Sequence, residues 1–570
     1  MSSSATARAV PGPFQLTRFR AILFIVLLWA GIYLPGLGSL QLQHEEPRRA
    51  LPALHMLASG DWLVPRVGSD PYLRKPPLLN WLIALSCKLF GHPSEWAVRL
   101  PSALATLALA IAIVALGGGR WLGSEGGLVA GILFLTNITM VENGRLAELE
   151  ALYIALTGIA LVLWMTAWRL GLGSWQLWLL PVPFLALGML TKGPTHLIFY
   201  YGVILPVLIL GRDTRSLRHP AHCISLAVIL GAMLCWAIPC SIAVNSHEPV
   251  GVWRFWWYQL ASRATGESNE NFNLLKWLLN GPQTLKNYLP WTLLLPILWR
   301  RQTIARLAEV ANSRPRDLAL FRGARWGMVA PTIVMVLLPN GSPRYIYPLI
   351  VVPCLLLGRA STVEGGSGSP AWLPKTWSRV NLVLLTIVTG GIFAMPIVAR
   401  GDRWIFLWTC LVAILASCVW VFTLAKSARR RGLIRFVTES PLTGHAITSA
   451  AATALAMMVF ALVIVPRIDS AKARRPREVA AAFREALPAG AQLWVLEDQY
   501  RPFWYYLEPN VRYFHQLTDL PPGARFILVP MLQSRYFLQD PGPRTVPWTL
   551  IKYAVDSENR RFDLLGRDTN

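Results

Sequence analysis

Long apolar runs recur along the whole chain, separated by short polar stretches. A helix rises about 1.5 Å per residue, so a run of about 20 apolar residues can cross the roughly 30 Å hydrocarbon layer of a membrane. The runs lack the alternating pattern of a membrane β-barrel, which leaves helices to satisfy their backbone groups in lipid. The sequence therefore predicts about thirteen spanning helices. They fall at 20–39, 98–116, 124–142, 149–168, 175–191, 195–211, 221–244, 286–299, 325–339, 344–358, 380–399, 404–425 and 444–465.

Two polar regions stand out against this pattern. In the loop 40–97, the segments 47–58 and 77–91 have their apolar positions on one face, which is typical of short helices lying on a membrane surface. The tail 467–570 holds short apolar runs such as LWVLEDQ, RFILVP and TLIKYAV, which predict strands, and REVAAAFREAL, which predicts a helix. The expected fold is mainly α: a polytopic membrane domain at 1–466, including the loop 40–97, followed by a small soluble α/β domain at 467–570.

Composition and charge support a membrane protein and set its orientation. Of the 570 residues, 54% are apolar and 15% are charged, whereas a soluble domain averages about 25% charged residues. The net charge of +24 would suit nucleic acid, but many basic residues lie in short loops between apolar runs, where Lys and Arg mark the cytoplasmic side. With thirteen spans, the basic loops 212–218, 300–325 and 426–435 share that side with the N-terminus. The first loop and the tail then lie on the opposite, outer side.

The first outer loop carries two clusters of charged residues. HEEPRRA places Glu45, Glu46 and Arg48 just beyond the first span, where carboxylates could act on a membrane-borne substrate. The alternative is a solvated helix start, since acidic residues and Pro favour a first turn. DPYLRKPPLLNW contains Tyr72 and Lys75. Lys75 could bind a lipid phosphate at headgroup depth, or it could only mark the interface by snorkelling.

A third cluster, VENGRLAELEALY, lies at the outer entrance of the fourth predicted span. Glu150 is its deepest ionisable group, followed by apolar residues and Tyr153 for several turns. Such a group is costly at a span mouth unless it faces a cavity, so Glu150 is a candidate functional residue. The structural alternative is an ion pair of Arg145 with Glu148 or Glu150 that fixes the loop.

Two more clusters are expected on the same outer side. Lys192 joins two spans within TKGP, and Arg344 and Tyr345 open another span within SPRYIYP. Snorkelling cations without a function should decorate both faces of the membrane, whereas these clusters share one. Arg and Lys both recognise phosphate, Arg through two parallel bonds and Lys as a point charge. The set therefore suits an anionic lipid headgroup, with carboxylates left over for a reaction.

Taken in order, these pieces resemble the GT-C glycosyltransferases that take a sugar from a polyprenyl-phosphate carrier. The family includes protein O-mannosyltransferases and the bacterial aminoarabinose transferase that acts on lipid A, and a tail domain after thirteen spans is most like the latter branch. The likeness covers roughly 20–360. It rests on EEPRRALPALHMLASGDWLVPR, PYLRKPPLLNWLIALSCKLFG, GRLAELEALY, LTKGP and SPRYIYP.

This sequence departs from the family pattern at its carboxylates. The family's Asp-Glu-x-Arg motif corresponds to residues 45–48 here, with Glu45 at the Asp position and Arg48 at the Arg position. The second Asp of the family corresponds to Glu150. Both expected catalytic Asp positions therefore hold Glu. The family's Glu-Lys-Pro is Arg74-Lys75-Pro76 here, which keeps the Lys and loses the acid. The extra methylene shifts each carboxylate by about a bond length, on the scale of misplacements that can cost about 100-fold in rate.

The resemblance implies a role for each candidate residue. The catalytic carboxylates would be Glu45 and Glu150, with Glu46 and Arg145 supporting them. The residues expected to bind the carrier phosphate are Arg48, Tyr72, Lys75, Lys192, Arg344 and Tyr345. A His-containing stretch that many relatives carry before the eighth span is replaced by NENFNLLKWLLNGPQTLKNYLPW. Its loss, with that of the acid before Lys75, argues against a divalent metal, and no other cofactor is expected.

The implied protein is a glycosyltransferase of the bacterial inner membrane, with a cytoplasmic N-terminus and a periplasmic tail. Its donor would be an undecaprenyl-phosphate sugar, and its acceptor lipid A or another glycan or protein. Nucleic acid is not an expected partner. Two alternatives stay open: a transporter or flippase for a lipid-linked sugar, and a non-catalytic membrane scaffold that presents the tail.

Overall fold

A computed structural model describes most of the chain. The described residues are 16–43, 45–245, 274–311, 315–338, 341–364, 372–398, 441–460, 475–496, 500–507, 511–539, 547–556 and 558–567. The predicted span 404–425, the basic loop 426–435 and part of the loop 245–285 lie outside these ranges.

Helices dominate the described chain. The α-helices are α1 Arg18–Tyr33, α2 Glu46–Ser59, α3 Leu78–Phe90, α4 Glu95–Ala112, α5 Gly123–Leu135, α6 Ile138–Asn143, α7 Leu149–Leu170, α8 Ser174–Leu179, α9 Val182–Lys192, α10 Thr195–Leu210, α11 Pro220–Asn245, α12 Leu274–Lys286, α13 Arg301–Ala311, α14 Pro315–Leu337, α15 Val351–Glu364, α16 Trp372–Val398, α17 Pro441–Val459, α18 Pro476–Glu485, α19 Trp504–Leu507 and α20 Met531–Gln539. A π-helical segment, Ile113–Leu122, follows α4, and 3₁₀ segments lie at Thr214–Arg218, Trp291–Trp299, Pro343–Leu349 and Leu517–Asp519.

Several of these helices are long and apolar enough to cross a membrane. In the described part of the chain they number five: Glu95–Gly117, Leu149–Leu170, Ser174–Lys192, Pro220–Val244 and Pro315–Leu337. The 3₁₀ segment Pro343–Leu349 and α15, bent by 49°, together make a sixth candidate. The chain is thus a multi-pass helical membrane protein, while the count of thirteen spans stays a prediction.

Two regions differ from the sequence prediction. The span predicted at 286–299 is not one α-helix, because α12 ends at Lys286 and a 3₁₀ segment follows at Trp291–Trp299. The region 300–325 was expected to be a loop, but it contains α13 and the first half of α14, which begins at Pro315. The basic residues interrupt the apolar pattern in the sequence, but α14 continues through them. Arg325 shows why: its guanidinium donates to the Leu298 carbonyl at 2.9 Å and lies over the rings of two tryptophans, so a charged residue is accommodated inside α14.

The two helices predicted in the first loop are present. The segment 47–58 corresponds to α2, which starts with an acidic residue and Pro in its first turn, both favourable to a helix N-terminus. The segment 77–91 corresponds to α3. Each helix ends at a glycine with a left-handed backbone, Gly60 at φ 76° and Gly91 at φ 75°, which is the usual way to end a helix. Between them lies a hairpin of β1 Arg66–Val67 and β2 Asp70–Pro71.

The tail contains a five-stranded mixed sheet. Its strands are β3 Leu493–Leu496, β4 Val511–Phe514, β5 Phe526–Pro530, β6 Thr549–Val555 and β7 Arg561–Gly566, in the order β4-β3-β5-β7-β6. Strand β3 pairs in parallel with β4 and β5, whereas β7 pairs antiparallel with β5 and β6. The strands predicted from LWVLEDQ, RFILVP and TLIKYAV and the helix predicted from REVAAAFREAL all lie where the sequence places them.

Helix α7 is the element that organises the site. Within its most apolar stretch of 18 residues, 94% is buried inside the protein. The helix packs against α4, α9 and the 3₁₀ segment Pro343–Leu349. A helix buried on all sides cannot carry charge along its length, and its ionisable residues indeed lie at its ends. Its N-terminal end, at Leu149 and Glu150, therefore meets several neighbouring elements at once.

Candidate active site

The first loop is held against the start of α7 by a buried ion pair. Glu46 accepts from Arg99 of α4 through both carboxylate oxygens, at 2.7 and 2.8 Å. Its oxygens also accept from the backbone N–H groups of Gln43, at 3.1 Å, and Ala147, at 2.9 Å. Glu46 thus joins the loop, α4 and the segment before α7.

Glu45 lies one residue earlier and is much more open, with 43% of its side chain exposed. It accepts from Arg48 at 2.7 Å and from Arg49 at 3.5 Å, one turn further along α2. A carboxylate in this position is accessible and paired with cations. It could orient a substrate or accept a proton, the chemistry expected for it.

The hairpin β1–β2 brings Tyr72 to the same place. Arg49 donates to the Tyr72 hydroxyl, and its Cζ lies 5.5 Å from the centroid of that ring. Lys75 follows, half-buried in the turn before α3. Arg49 was not among the candidate residues predicted from the sequence, although its position beside Arg48 in HEEPRRA was the available signal.

Glu150 and Lys192 form an ion pair between two helices. Lys192, the last residue of α9, donates to Glu150 in the first turn of α7 at 3.2 Å. An acid near a helix N-terminus and a base near a C-terminus both oppose the partial charges of those helix ends. Lys192 also lies 5.1 Å from the ring centroid of Tyr153, whose hydroxyl hydrogen-bonds Thr195 at 2.7 Å.

Arg145 does not form the ion pair considered as its structural alternative. Its guanidinium donates to the carbonyls of Ile32 and Pro35, both at 2.6 Å. These are carbonyls at the end of α1 that have no partner within the helix. Arg145 therefore fastens the end of α1 to the segment before α7, and Lys192 takes the place beside Glu150.

Arg344 and Tyr345 lie on the 3₁₀ segment packed against α7. Asn287 donates to the Pro343 carbonyl at 2.7 Å and holds the start of this segment. Arg344 is exposed and Tyr345 is half-buried. Arg344 is close enough to Glu148 to lower the pKa of that carboxyl, which places this segment beside the start of α7.

Glu148 lies where these elements meet, although it is not among the catalytic candidates predicted from the sequence. Burial raises its pKa to about 7, with further raising by Glu150 and Glu46, while Arg49 and Arg344 lower it. Groups from the first loop, α7 and the 3₁₀ segment thus all act on one carboxyl. Within the described residues, its carboxylate has no hydrogen-bond donor or ion-pair partner. Its position two residues before Glu150 was the available signal.

The arrangement can recognise a phosphate and still leave carboxylates for chemistry. Guanidinium, ammonium and phenol groups lie beside the partly exposed carboxylate of Glu45 and the half-buried carboxylate of Glu150. Such a set of donors suits an anionic substrate. Among the described residues, no three His, Cys, Asp or Glu side chains are grouped to hold a metal ion.

The chain is similar in sequence and in fold to known glycosyltransferases. Residues 74–238, which include Lys75, Glu150 and Lys192, match the family described as dolichyl-phosphate-mannose-protein mannosyltransferase. The crystal structure of ArnT from Cupriavidus metallidurans bound to undecaprenyl phosphate is similar with a TM-score of 0.63 at 18% identity, over 96% of this chain and 97% of that chain. The resemblance to GT-C glycosyltransferases is confirmed. At this identity the structural likeness shows the shared fold.

Curated relatives carry a common description. An undecaprenyl phosphate-alpha-4-amino-4-deoxy-L-arabinose arabinosyl transferase of Edwardsiella ictaluri is 28% identical, over 66% of this chain and 64% of its own length. A protein of the same description from Pseudomonas savastanoi pv. phaseolicola is 26% identical, over 61% of each chain. The matched part of this chain thus spans less than two thirds of these relatives.

Proposed function

We propose that this chain is an inner-membrane glycosyltransferase that moves 4-amino-4-deoxy-L-arabinose from undecaprenyl phosphate to lipid A. The observation that carries the proposal is the meeting of cations and carboxylates from distant parts of the sequence at one end of α7. The description shared by the curated relatives supports the sugar and the carrier. The likeness in fold to ArnT supports a whole-chain correspondence.

In the proposed reaction, the carrier phosphate is held by Arg48, Lys75 and Arg344, with Tyr72, Tyr345 and Lys192 completing the site. An acceptor oxygen attacks the anomeric carbon on the side opposite the phosphate. The bond between that carbon and the phosphate oxygen breaks, and the phosphate leaves with the bonding electron pair. Preorganised cations stabilise the charge that develops there, which is often the largest catalytic contribution. Such an attack inverts the anomeric centre.

The role of the carboxylates depends on the acceptor. A phosphate of lipid A is already ionised, so Glu45 or Glu150 would only orient it. A hydroxyl acceptor loses a proton as it attacks, and one of these carboxylates would then accept that proton as general base. A second candidate function, transfer to a protein hydroxyl, is favoured by the family match over residues 74–238.

We extend the proposal to the arrangement in the membrane. Thirteen spans would leave the N-terminus in the cytoplasm and place the loop 40–97 and the tail 467–570 in the periplasm, with the tail as a separate α/β domain. The site would then open toward the periplasm, where nucleotide sugars are scarce and a lipid carrier is the suitable activated donor.

A reconstituted transfer reaction tests the function. The purified full-length chain is mixed with the undecaprenyl-phosphate sugar and lipid A, and the products are analysed by mass spectrometry. The proposal predicts lipid A that gains the mass of the sugar. A protein hydroxyl acceptor predicts modified peptide in a parallel reaction. A transporter or scaffold predicts neither product, and that result would overturn the proposal.

A further inference from the structure

The tail is seated on the first loop through a chain of polar contacts. The Tyr506 hydroxyl accepts from the Leu42 backbone N–H at 2.8 Å and donates to Glu95 at 2.9 Å. Arg477 forms an ion pair with the same Glu95, and its backbone N–H donates to the Gln41 side chain at 2.8 Å. Glu95 is buried, so these contacts form an ordered junction.

The tail also reaches the hairpin that carries Tyr72. The His515 ring hydrogen-bonds Ser69 at 3.2 Å and Asp70 at 3.0 Å. Ser69 is at the hairpin turn and Asp70 begins β2, two residues before Tyr72. The tail therefore contacts the first loop both just before α2 and at the hairpin.

The contact nearest the site is between Tyr500 and Arg48. The Arg48 Cζ lies 4.5 Å from the centroid of the Tyr500 ring. Burial raises the pKa of the Tyr500 phenol far above its ordinary value, so it stays neutral. Glu45 accepts from the same guanidinium at 2.7 Å.

The contact with the Tyr500 ring holds the Arg48 guanidinium in place, and the ring accepts none of its N–H bonds in the way that a carboxylate would. A ring occupies the face of an Arg side chain, whereas the five N–H donors point outward in its plane. Glu45 accepts from one nitrogen, Nη1. A flexible Arg that must bind a phosphate first loses side-chain freedom, and holding it in place beforehand reduces that cost.

We propose that Tyr500 positions Arg48 for the carrier phosphate, so that the tail supplies part of the donor site. Tyr500 is a positioning residue, since it acts through Arg48. This inference rests on the proposed function, because it assigns Arg48 the carrier phosphate as its ligand.

The test measures binding of undecaprenyl phosphate to the purified full-length chain in detergent. The variants are Tyr500→Leu, Tyr500→Phe, Arg48→Ala and the double variant Arg48→Ala/Tyr500→Leu. Tyr536→Leu, in the same tail but 72% exposed, is the matched control. Thermal unfolding of each variant is recorded in the same buffer.

Tyr500→Leu should raise Kd about threefold to thirtyfold, the range that a cation–π contact allows. Tyr500→Phe keeps the ring and should stay within about twofold of wild type, as should the control. In the Arg48→Ala background, Tyr500→Leu should have no further effect on Kd. A purely structural Tyr500 would lower Tm and leave Kd unchanged.

The outcomes separate this inference from the function on which it rests. Failure of the wild-type chain to bind the carrier phosphate would overturn the proposed function. Binding by wild type with an unchanged Kd in Tyr500→Leu would overturn the inference alone. An equal loss of affinity from Tyr500→Leu with and without Arg48 would also overturn it, because the effect would then not pass through Arg48.

Discussion

Glu46 and Arg99 form a two-point ion pair in which only 1% and 3% of the two side chains are exposed. Arg99 also donates to the backbone carbonyls of Leu37, Leu40 and Gln41, at 2.8, 2.8 and 3.1 Å. One buried guanidinium therefore fixes the chain leaving α1 and, through Glu46, the start of α2. The site depends on this pair for its shape, since Glu45 and Arg48 lie on the same turn of α2.

Arg99→Ala should strongly destabilise the protein. Removing one partner leaves the Glu46 charge buried without its cation, which typically costs about 3–5 kcal/mol. Thermal unfolding of the purified chain should show a large fall in Tm, whereas Arg215→Ala, at an exposed position, should leave Tm nearly unchanged. An Arg99→Ala variant as stable as wild type would show that the pair does not hold the loop.

Glu148→Gln should change the pH dependence of stability. The pKa of Glu148 is raised to about 7 in the folded chain from an ordinary 4.5. The folded state therefore holds its proton more tightly than the unfolded state, and the stability this contributes is lost as pH rises from about 4.5 to 7. A neutral Gln does not titrate, so the Tm of the variant should increase relative to wild type between pH 5 and pH 8.

The matched control for this titration is Glu142→Gln, which changes an exposed acid in the same sequence cluster. Its Tm should follow that of wild type across the same pH range. Parallel curves for Glu148→Gln and wild type would contradict the assignment of a raised pKa to Glu148.

Glu45→Gln and Glu150→Gln should each reduce sugar transfer strongly. Each change keeps the shape of the side chain but removes the charge that pairs with Arg48 or Lys192 and the capacity to accept a proton. With a hydroxyl acceptor, loss of general base catalysis typically costs about 10²–10⁴ in rate; with a phosphate acceptor, the rate falls because the acceptor is no longer oriented. The rate is measured by mass spectrometry of the product. If both variants transfer at the wild-type rate, the carboxylates are structural.

Much of the fold follows from local sequence pattern. Helices α2 and α3 and the strands β3, β5 and β6 lie where apolar periodicity and turn residues place them. Proximity within the site was harder to predict. The positions of the clusters between predicted spans place the candidate residues on one side of the membrane. Residue types alone do not predict which cation forms an ion pair with which acid.

The errors and omissions in the site have the same physical origin. Arg145 was weighed as an ion-pair partner for Glu148 or Glu150, but it binds carbonyls at the end of α1. Arg99 was not considered, because one Arg in an apolar run looks like a span end. Tyr500 was not considered either, because it lies in the tail, which was predicted to be a separate domain. Each of these roles depends on a contact between segments far apart in the chain, which no local pattern records.

The most direct test of the account is sugar transfer by Lys75→Ala. Lys75 is half-buried, three residues after Tyr72, and is assigned the carrier phosphate, while Lys88 is exposed on α3 and serves as the matched control. The account predicts that Lys75→Ala abolishes transfer of sugar to lipid A with its Tm unchanged, and that Lys88→Ala transfers as wild type does. Full transfer by Lys75→Ala would contradict it.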